Sequence, residues 1–106
     1  SATGTIAMTS VAECGADITA VEQAVGEVTF LGRQADKDRA GLQGKLDNAQ
    51  VKLDEGKFAD TIDKLTDFRE TVIALRDAAK PKLSAADAQK LLDAVDMALA
   101  CVSAIE

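Results

Sequence analysis

The 106-residue chain contains no histidine, tryptophan or tyrosine. Without histidine, it lacks the residue most often used for general acid–base catalysis near neutral pH. A serine or cysteine nucleophile would also lack its usual base. Three phenylalanines, Phe30, Phe58 and Phe68, are the only aromatic residues. We expect them to pack in the core rather than to form a sugar-binding platform. The sequence therefore predicts a protein that is not an enzyme.

Long apolar runs and an excess of positive charge are also missing. No segment approaches the roughly 18 to 20 apolar residues that a helix needs to cross a bilayer. The net charge is −6, which gives no electrostatic attraction to nucleic acid or anionic lipid. Arg33, Lys37 and Arg39 form a weak basic cluster, which we interpret as a solvated loop. We predict no nucleic-acid binding and no membrane span.

Metal and cofactor sites have little support in the sequence. Two distant cysteines without histidine make a poor zinc site. The segment from Asp36 to Asp38 begins like a calcium-binding loop, but Ala40 and Leu42 follow where oxygen ligands are needed. The seven glycines form no phosphate-cradling motif. We expect no bound metal and no cofactor.

The chain does contain apolar residues at helical spacing, in four segments. The first is predicted from about Asp17 to Leu31, with Asp17 or the Thr19–Glu22 pair at its start and Gly32 after its end. The second begins near Asp38 and ends at Gly56, and the third begins at Phe58 and stops before Pro81. Ser84 opens the fourth, with Asp87 at the third helical position. The four apolar stripes are Ile18, Val21, Val25 and Val28; Leu42, Leu46, Ala49 and Leu53; Phe58, Ile62, Leu65, Phe68, Val72, Leu75 and Ala79; and Ala88, Leu91, Val95, Ala98, Val102 and Ile105, widened by Leu92 and Leu99.

The connections between these segments are short, from two to about six residues, so consecutive helices should be antiparallel. The predicted fold is all-α: an up-and-down four-helix bundle with three long helices and a shorter N-terminal one. We assign residues 14–106 to this single domain. Residues 1–13 are predicted to be a linker-like segment of small residues, left after processing or joining a preceding domain.

Cys14 is predicted to lie just before the first helix and Cys101 in the last turns of the fourth. In a bundle with an even number of antiparallel helices, both positions lie at the same end, so a disulfide is geometrically feasible. Such a bond would indicate a secreted protein. The alternative is two buried free thiols in a cytosolic protein.

Asp60, Asp63 and Asp67 repeat along the side of the third helix that faces away from its apolar stripe. Paired carboxylates can perform acid–base chemistry when burial separates their pKa values. At this position the spacing favours a solvated acidic face, and a buried carboxylate pair is the alternative.

Three segments carry a family resemblance: FLGRQADKDRAGLQGKLDNAQVKLDEGKF, TIDKLTDFRETV and KLSAADAQKLLDAVDMAL. Together they place the stretch from about Val21 to Leu99 in a pattern that resembles the FIMAH domain, a small module appended to extracellular bacterial hydrolases. The pattern consists mainly of apolar spacing and Gly56. The resemblance implies an accessory module of a secreted, multidomain bacterial protein, with no catalytic residues of its own.

Two functions fit this sequence. The first is a non-catalytic accessory module that helps a neighbouring hydrolase domain in the same chain to engage a polymer, a cell surface or another protein. The second is a helical bundle that holds a small apolar ligand between its helices, where the alanines of the fourth helix would leave space.

Overall fold

The computed structural model describes residues 11–105, which form four α-helices and, within that range, no strand. The helices are α1 (Val11–Glu27), α2 (Ala35–Asp54), α3 (Phe58–Asp77) and α4 (Ala85–Ile105). Helix α1 packs against α2 and α4, and α3 packs against the same two helices. The connections are residues 28–34, 55–57 and 78–84, two of them slightly longer than predicted. The predicted four-helix bundle is confirmed.

The core follows the predicted apolar stripes closely in α2 and α4. All four stripe residues of α2 are buried, and five of the six in α4 are buried together with Leu92. In α3 the fit is looser, because Phe58, Ile62 and Leu75 are only partly buried while Thr61 is fully buried. Ala79 is exposed and lies beyond the end of α3. The buried stripe residues of α2, α3 and α4 are Leu42, Leu46, Ala49 and Leu53; Leu65, Phe68 and Val72; and Ala88, Leu91, Val95, Ala98 and Val102.

The start of α1 differs from the prediction. The helix already includes Val11, so residues 11–13 belong to it rather than to a linker; residues 1–10 lie outside the described part of the chain. The Thr19 hydroxyl does not cap the helix but donates a hydrogen bond to the Gly15 carbonyl, 3.0 Å away. Cys14 explains the earlier start, because it is fully buried and continues the apolar spacing of Ile18 toward the N-terminus.

The end of α1 also differs, since the helix stops at Glu27 rather than at Leu31. Beyond it, burial alternates: Val28 and Phe30 are buried, while Thr29 and Leu31 are exposed. A period of two is the pattern of extended backbone with one face on the core. Val28 and Phe30 therefore lie outside the helix, in extended backbone whose buried face covers the end of the bundle.

Two helix ends match their sequence signals. Gly56 has a φ of 78°, its N–H donates to the Leu53 carbonyl, and the Lys57 N–H donates to the Lys52 carbonyl. These bonds form a Schellman motif, which glycine favours because it adopts positive φ without strain. At the other end of the bundle, the Ser84 hydroxyl accepts a hydrogen bond of 3.1 Å from the Asp87 N–H. Both predicted boundaries are confirmed.

Replacing Phe68 by alanine should remove a fully buried ring from the middle of α3. The cavity should lower the free energy of unfolding by about 3 to 5 kcal/mol, out of the roughly 5 to 15 kcal/mol typical of a domain. As a control, changing the exposed Asp60 and Asp67 to asparagine should cost less than about 1 kcal/mol. Urea titrations of both variants measure this, and equal midpoints for Phe68→Ala and wild type would contradict the core assignment.

Candidate functional site

The two cysteines meet at one end of the bundle, which we call the disulfide pole. The Cys14 and Cys101 sulfur atoms are bonded, with their Cα atoms 5.4 Å apart. Cys14 lies within α1 rather than before it, and Cys101 lies in the last turns of α4. The α2–α3 connection at residues 55–57 lies at the same end. The bond therefore ties the first helix directly to the last.

The acidic row on α3 is a surface feature. Asp60, Asp63 and Asp67 are all exposed to solvent. Asp67 accepts a hydrogen bond of 2.6 Å from the Lys45 ammonium on α2. Exposed carboxylates of this kind keep ordinary hydration, so the row does not form the buried carboxylate pair that was the alternative prediction.

Side-chain pairs join each helix to its neighbours across the surface of the bundle. Three of the four interfaces carry an ion pair of opposite charge, worth up to about 1 kcal/mol at exposed sites. The fourth interface, between α1 and α2, brings together two carboxyl groups. The ion pairs are Lys45–Asp67 (2.6 Å), Arg69–Asp96 (2.9 Å) and Lys90–Glu27 (2.7 Å), and the carboxyl pair is Glu22–Asp47.

The contact between the two carboxyl groups changes the pKa of Glu22. Burial, followed by a hydrogen bond with Asp47 and charge repulsion from it, raises the pKa of the Glu22 carboxyl from 4.5 to about 6. The negative charge on Glu22 is therefore disfavoured beside Asp47. No sequence signal marks this pair, since the two residues are on different helices.

The opposite end of the bundle, which we call the loop pole, is formed by the connections at residues 28–34 and 78–84. The Leu31 N–H donates to the Lys82 carbonyl (2.8 Å), which joins the two connections. The Thr29 N–H donates to the Asp87 carboxylate (3.3 Å), and Leu83 and Phe30 are buried beneath. The loop pole is therefore held by contacts to the core and between its connections.

Arg39 helps to hold the loop pole together and does not lie in a solvated loop. Its guanidinium donates a hydrogen bond of 3.2 Å to the Val28 carbonyl and lies 5.2 Å from the centre of the Phe30 ring. This cation–π contact fixes the first connection on α2. Arg33 and Lys37, by contrast, are exposed as predicted. The predicted basic cluster thus divides into one structural and two solvent-facing residues.

A pocket of about 420 Å³ opens between the two connections of the loop pole. It is lined by Gly32, Arg33, Gln34, Lys80, Pro81 and Lys82. No carboxylate is among the lining residues, and three of them are cationic. The sequence did not reveal this pocket, because the residues at 32–34 and 80–82 meet only when the bundle is assembled.

Within residues 11–105, no group of three or more potential ligands is placed to hold a metal ion. No helix in the same range is long and apolar enough to cross a membrane. Comparisons with protein-family models, with curated proteins and with solved structures found no match for this chain. We therefore infer function from the geometry of the two poles and from the sequence resemblance.

Reduction of the disulfide should destabilise the bundle substantially. The bond spans 87 residues of sequence, and the loop-entropy treatment assigns such a closure about 4 to 5 kcal/mol. Mass spectrometry of oxidised protein should find the Cys14–Cys101 peptide pair. Urea titration with and without a reductant should show the loss, and a Cys14→Ser/Cys101→Ser variant should match the reduced protein. Two freely alkylated thiols in folded, oxidised protein would contradict the bond.

The carboxyl pair predicts a pH dependence of stability. Because the folded state raises the pKa of Glu22 to about 6, this group destabilises the fold above pH 6, and the cost disappears as the pH falls toward 4.5. Glu22→Gln should stabilise the protein by up to about 1 kcal/mol at pH 8 after allowance for solvent screening, and should have little effect at pH 4.5. Thermal melts at both pH values measure the difference. Glu70→Gln, at an exposed position on α3, is the control, and an equal effect of both substitutions at pH 8 would refute the coupling.

Proposed function

We propose that this chain is a non-catalytic accessory module of a secreted, multidomain bacterial protein, in which it helps a hydrolase domain to engage an extracellular polymer, surface or protein. The observation that carries the proposal is the disulfide between α1 and α4. It bears on both the compartment and the attachment of the module.

The disulfide supports an extracellular compartment. Disulfides persist in oxidising environments and are rare in the cytosol, where thiols are kept reduced. Cys14 is fully buried and Cys101 partly buried, which suits a structural bond rather than an exposed redox switch. A module that works outside the cell gains stability from such a closure.

The position of the disulfide supports attachment to another domain. It places the start of α1 and the end of α4 side by side, so both ends of the described bundle lie at the disulfide pole. Domains whose ends lie close together are readily joined to or inserted into others. The loop pole, at the far end, is then free to contact a ligand.

The resemblance to the FIMAH domain supplies the hydrolase context, because that family is appended to extracellular bacterial hydrolases. The alternative of an apolar ligand held inside the bundle gains no support from the pocket at the loop pole, because that pocket lies in the connections rather than between the helices and three of its six lining residues are cationic. The alanines at 88 and 98 that were expected to leave space are themselves fully buried. We therefore favour the accessory module.

The gene that encodes this chain tests the proposal. We expect an open reading frame with a secretion signal and a hydrolase domain beside residues 1–106. The hydrolase should then be compared with and without this module. Deletion should lower activity on the insoluble polymer several-fold and leave activity on a small soluble substrate unchanged, since the module does no chemistry. A reading frame without a secretion signal or a second domain would overturn the proposal, as would equal loss on both substrates.

A further inference from the structure

Positive charge is concentrated at the loop pole of an otherwise acidic protein. In the segments 27–39 and 76–90, seven lysines and arginines accompany five aspartates and glutamates. The rest of the chain has five basic residues and thirteen acidic ones. Of the two ends of the bundle formed by residues 11–105, the loop pole is therefore the one where an anion meets a favourable field.

Several cations at this pole have no counterion of their own. Among residues 11–105, five basic side chains form neither an ion pair nor a hydrogen bond. Four of these five lie in or beside the connections of the loop pole. Three of the four line the pocket, and the fifth cation, Lys64, lies on α3. The four at the loop pole are Arg33, Lys37, Lys80 and Lys82.

Hydrogen bonds and a glycine fix the backbone around the pocket. The Leu31–Lys82 and Lys82–Leu75 backbone hydrogen bonds, 2.8 and 2.9 Å long, fix the two connections against each other and against α3. Gly32 has a φ of +89°, and a side chain there would meet the Lys82 ammonium at 3.0 Å. Glycine thus lets the lysine lie across the first connection. The backbone that carries the cations is therefore fixed before any ligand arrives, which lowers the entropic cost of binding.

The side chains present define the ligand chemistry. Arg33 offers a planar fork that can hold two oxygen atoms of an oxyanion, while Lys80 and Lys82 supply point charges. Gln34 precedes α2 without capping it, which leaves a polar amide at the edge of the pocket. No aromatic residue lines the pocket to stack on a nucleobase. The acidic remainder of the molecule restricts an anionic ligand to the loop pole.

We propose that the loop pole binds an acidic sugar of an extracellular polysaccharide, with Arg33, Lys80 and Lys82 around its carboxylate or sulfate group. The pocket volume of about 420 Å³ lies in the range of small-ligand sites. This inference rests on the proposed function and deepens it, because it names the polymer class and the surface that engages it. Asp36 is fully exposed, lies 4.0 Å from Arg39 and is not part of the lining.

The test is an amide NMR titration of the 106-residue chain at low salt. Trigalacturonate supplies carboxylates, N-acetylglucosamine 6-sulfate supplies a sulfate ester, and maltotriose is the neutral control. We expect saturable amide shifts confined to residues 31–34, Lys80 and Lys82 with at least one acidic probe, weakened by added NaCl, and none with maltotriose. The acidic probe that binds more tightly shows whether the site prefers a carboxylate or a sulfate group. Wild-type protein without shifts at the loop pole, or equal shifts with maltotriose, would overturn the proposal, as would tighter binding of a single-stranded oligonucleotide.

Two exposed lysines without partners provide matched variants. Lys80→Ala should weaken binding several-fold, and Arg33→Ala/Lys80→Ala about tenfold or more, because charge-assisted contacts are lost. Lys64→Ala removes the same charge from α3 and should leave binding unchanged. Equal weakening by Lys64→Ala and Lys80→Ala would overturn the site.

The titration and the gene test the two proposals separately. If the gene encodes a secreted hydrolase and deletion of the module impairs action on the polymer, but the titration fails, only the assignment of the binding site is wrong. If the titration succeeds but the gene encodes no hydrolase, the site stands and the proposed function falls.

Discussion

The contact between the first and last helices is the interaction on which the rest of the structure depends. Helices α2 and α3 are joined by a short connection and would pair in any hairpin, but α1 and α4 meet only when the chain closes on itself. That closure is secured at both ends: by the Cys14–Cys101 bond at the disulfide pole, and by the Lys90–Glu27 and Thr29–Asp87 contacts at the loop pole. Closing loops of this length is entropically costly, which explains why a covalent bond is placed there.

The closure also creates the surface to which we assign function. The two connections of the loop pole contact each other only because α1 and α4 are neighbours, and their hydrogen bond brings Arg33 toward Lys80 and Lys82. The cations elsewhere on the bundle, apart from Lys64, are used in ion pairs. The two poles thus differ: one is tied covalently, and the other carries unneutralised charge, where we propose that a ligand binds.

The sequence predicts features that repeat along a helix, and it does not predict contacts between residues far apart in the chain. Apolar spacing predicted the number of helices and the buried residues of α2 and α4, because repeated burial on one face leaves a periodic signal. It failed at both ends of α1, where Cys14 acts as a core residue and the segment after Glu27 follows a period of two. It also missed Thr61, which is buried because its hydroxyl is satisfied by the Lys57 carbonyl. The Glu22–Asp47 pair and the pocket could not be predicted, since both are formed by residues far apart in the chain.

Amide hydrogen exchange in the oxidised and reduced protein tests the dependence on α1–α4 closure most directly. In oxidised protein, the amides of α1 should be protected nearly as strongly as those at the centre of α3, because both belong to one cooperative unit. After reduction, protection should fall first in α1 and at the Leu31 N–H, which bonds to Lys82, while the α2–α3 pair retains more of its protection. If α1 and the loop pole remain as protected as α3 after reduction, closure by the disulfide is not what the structure depends on.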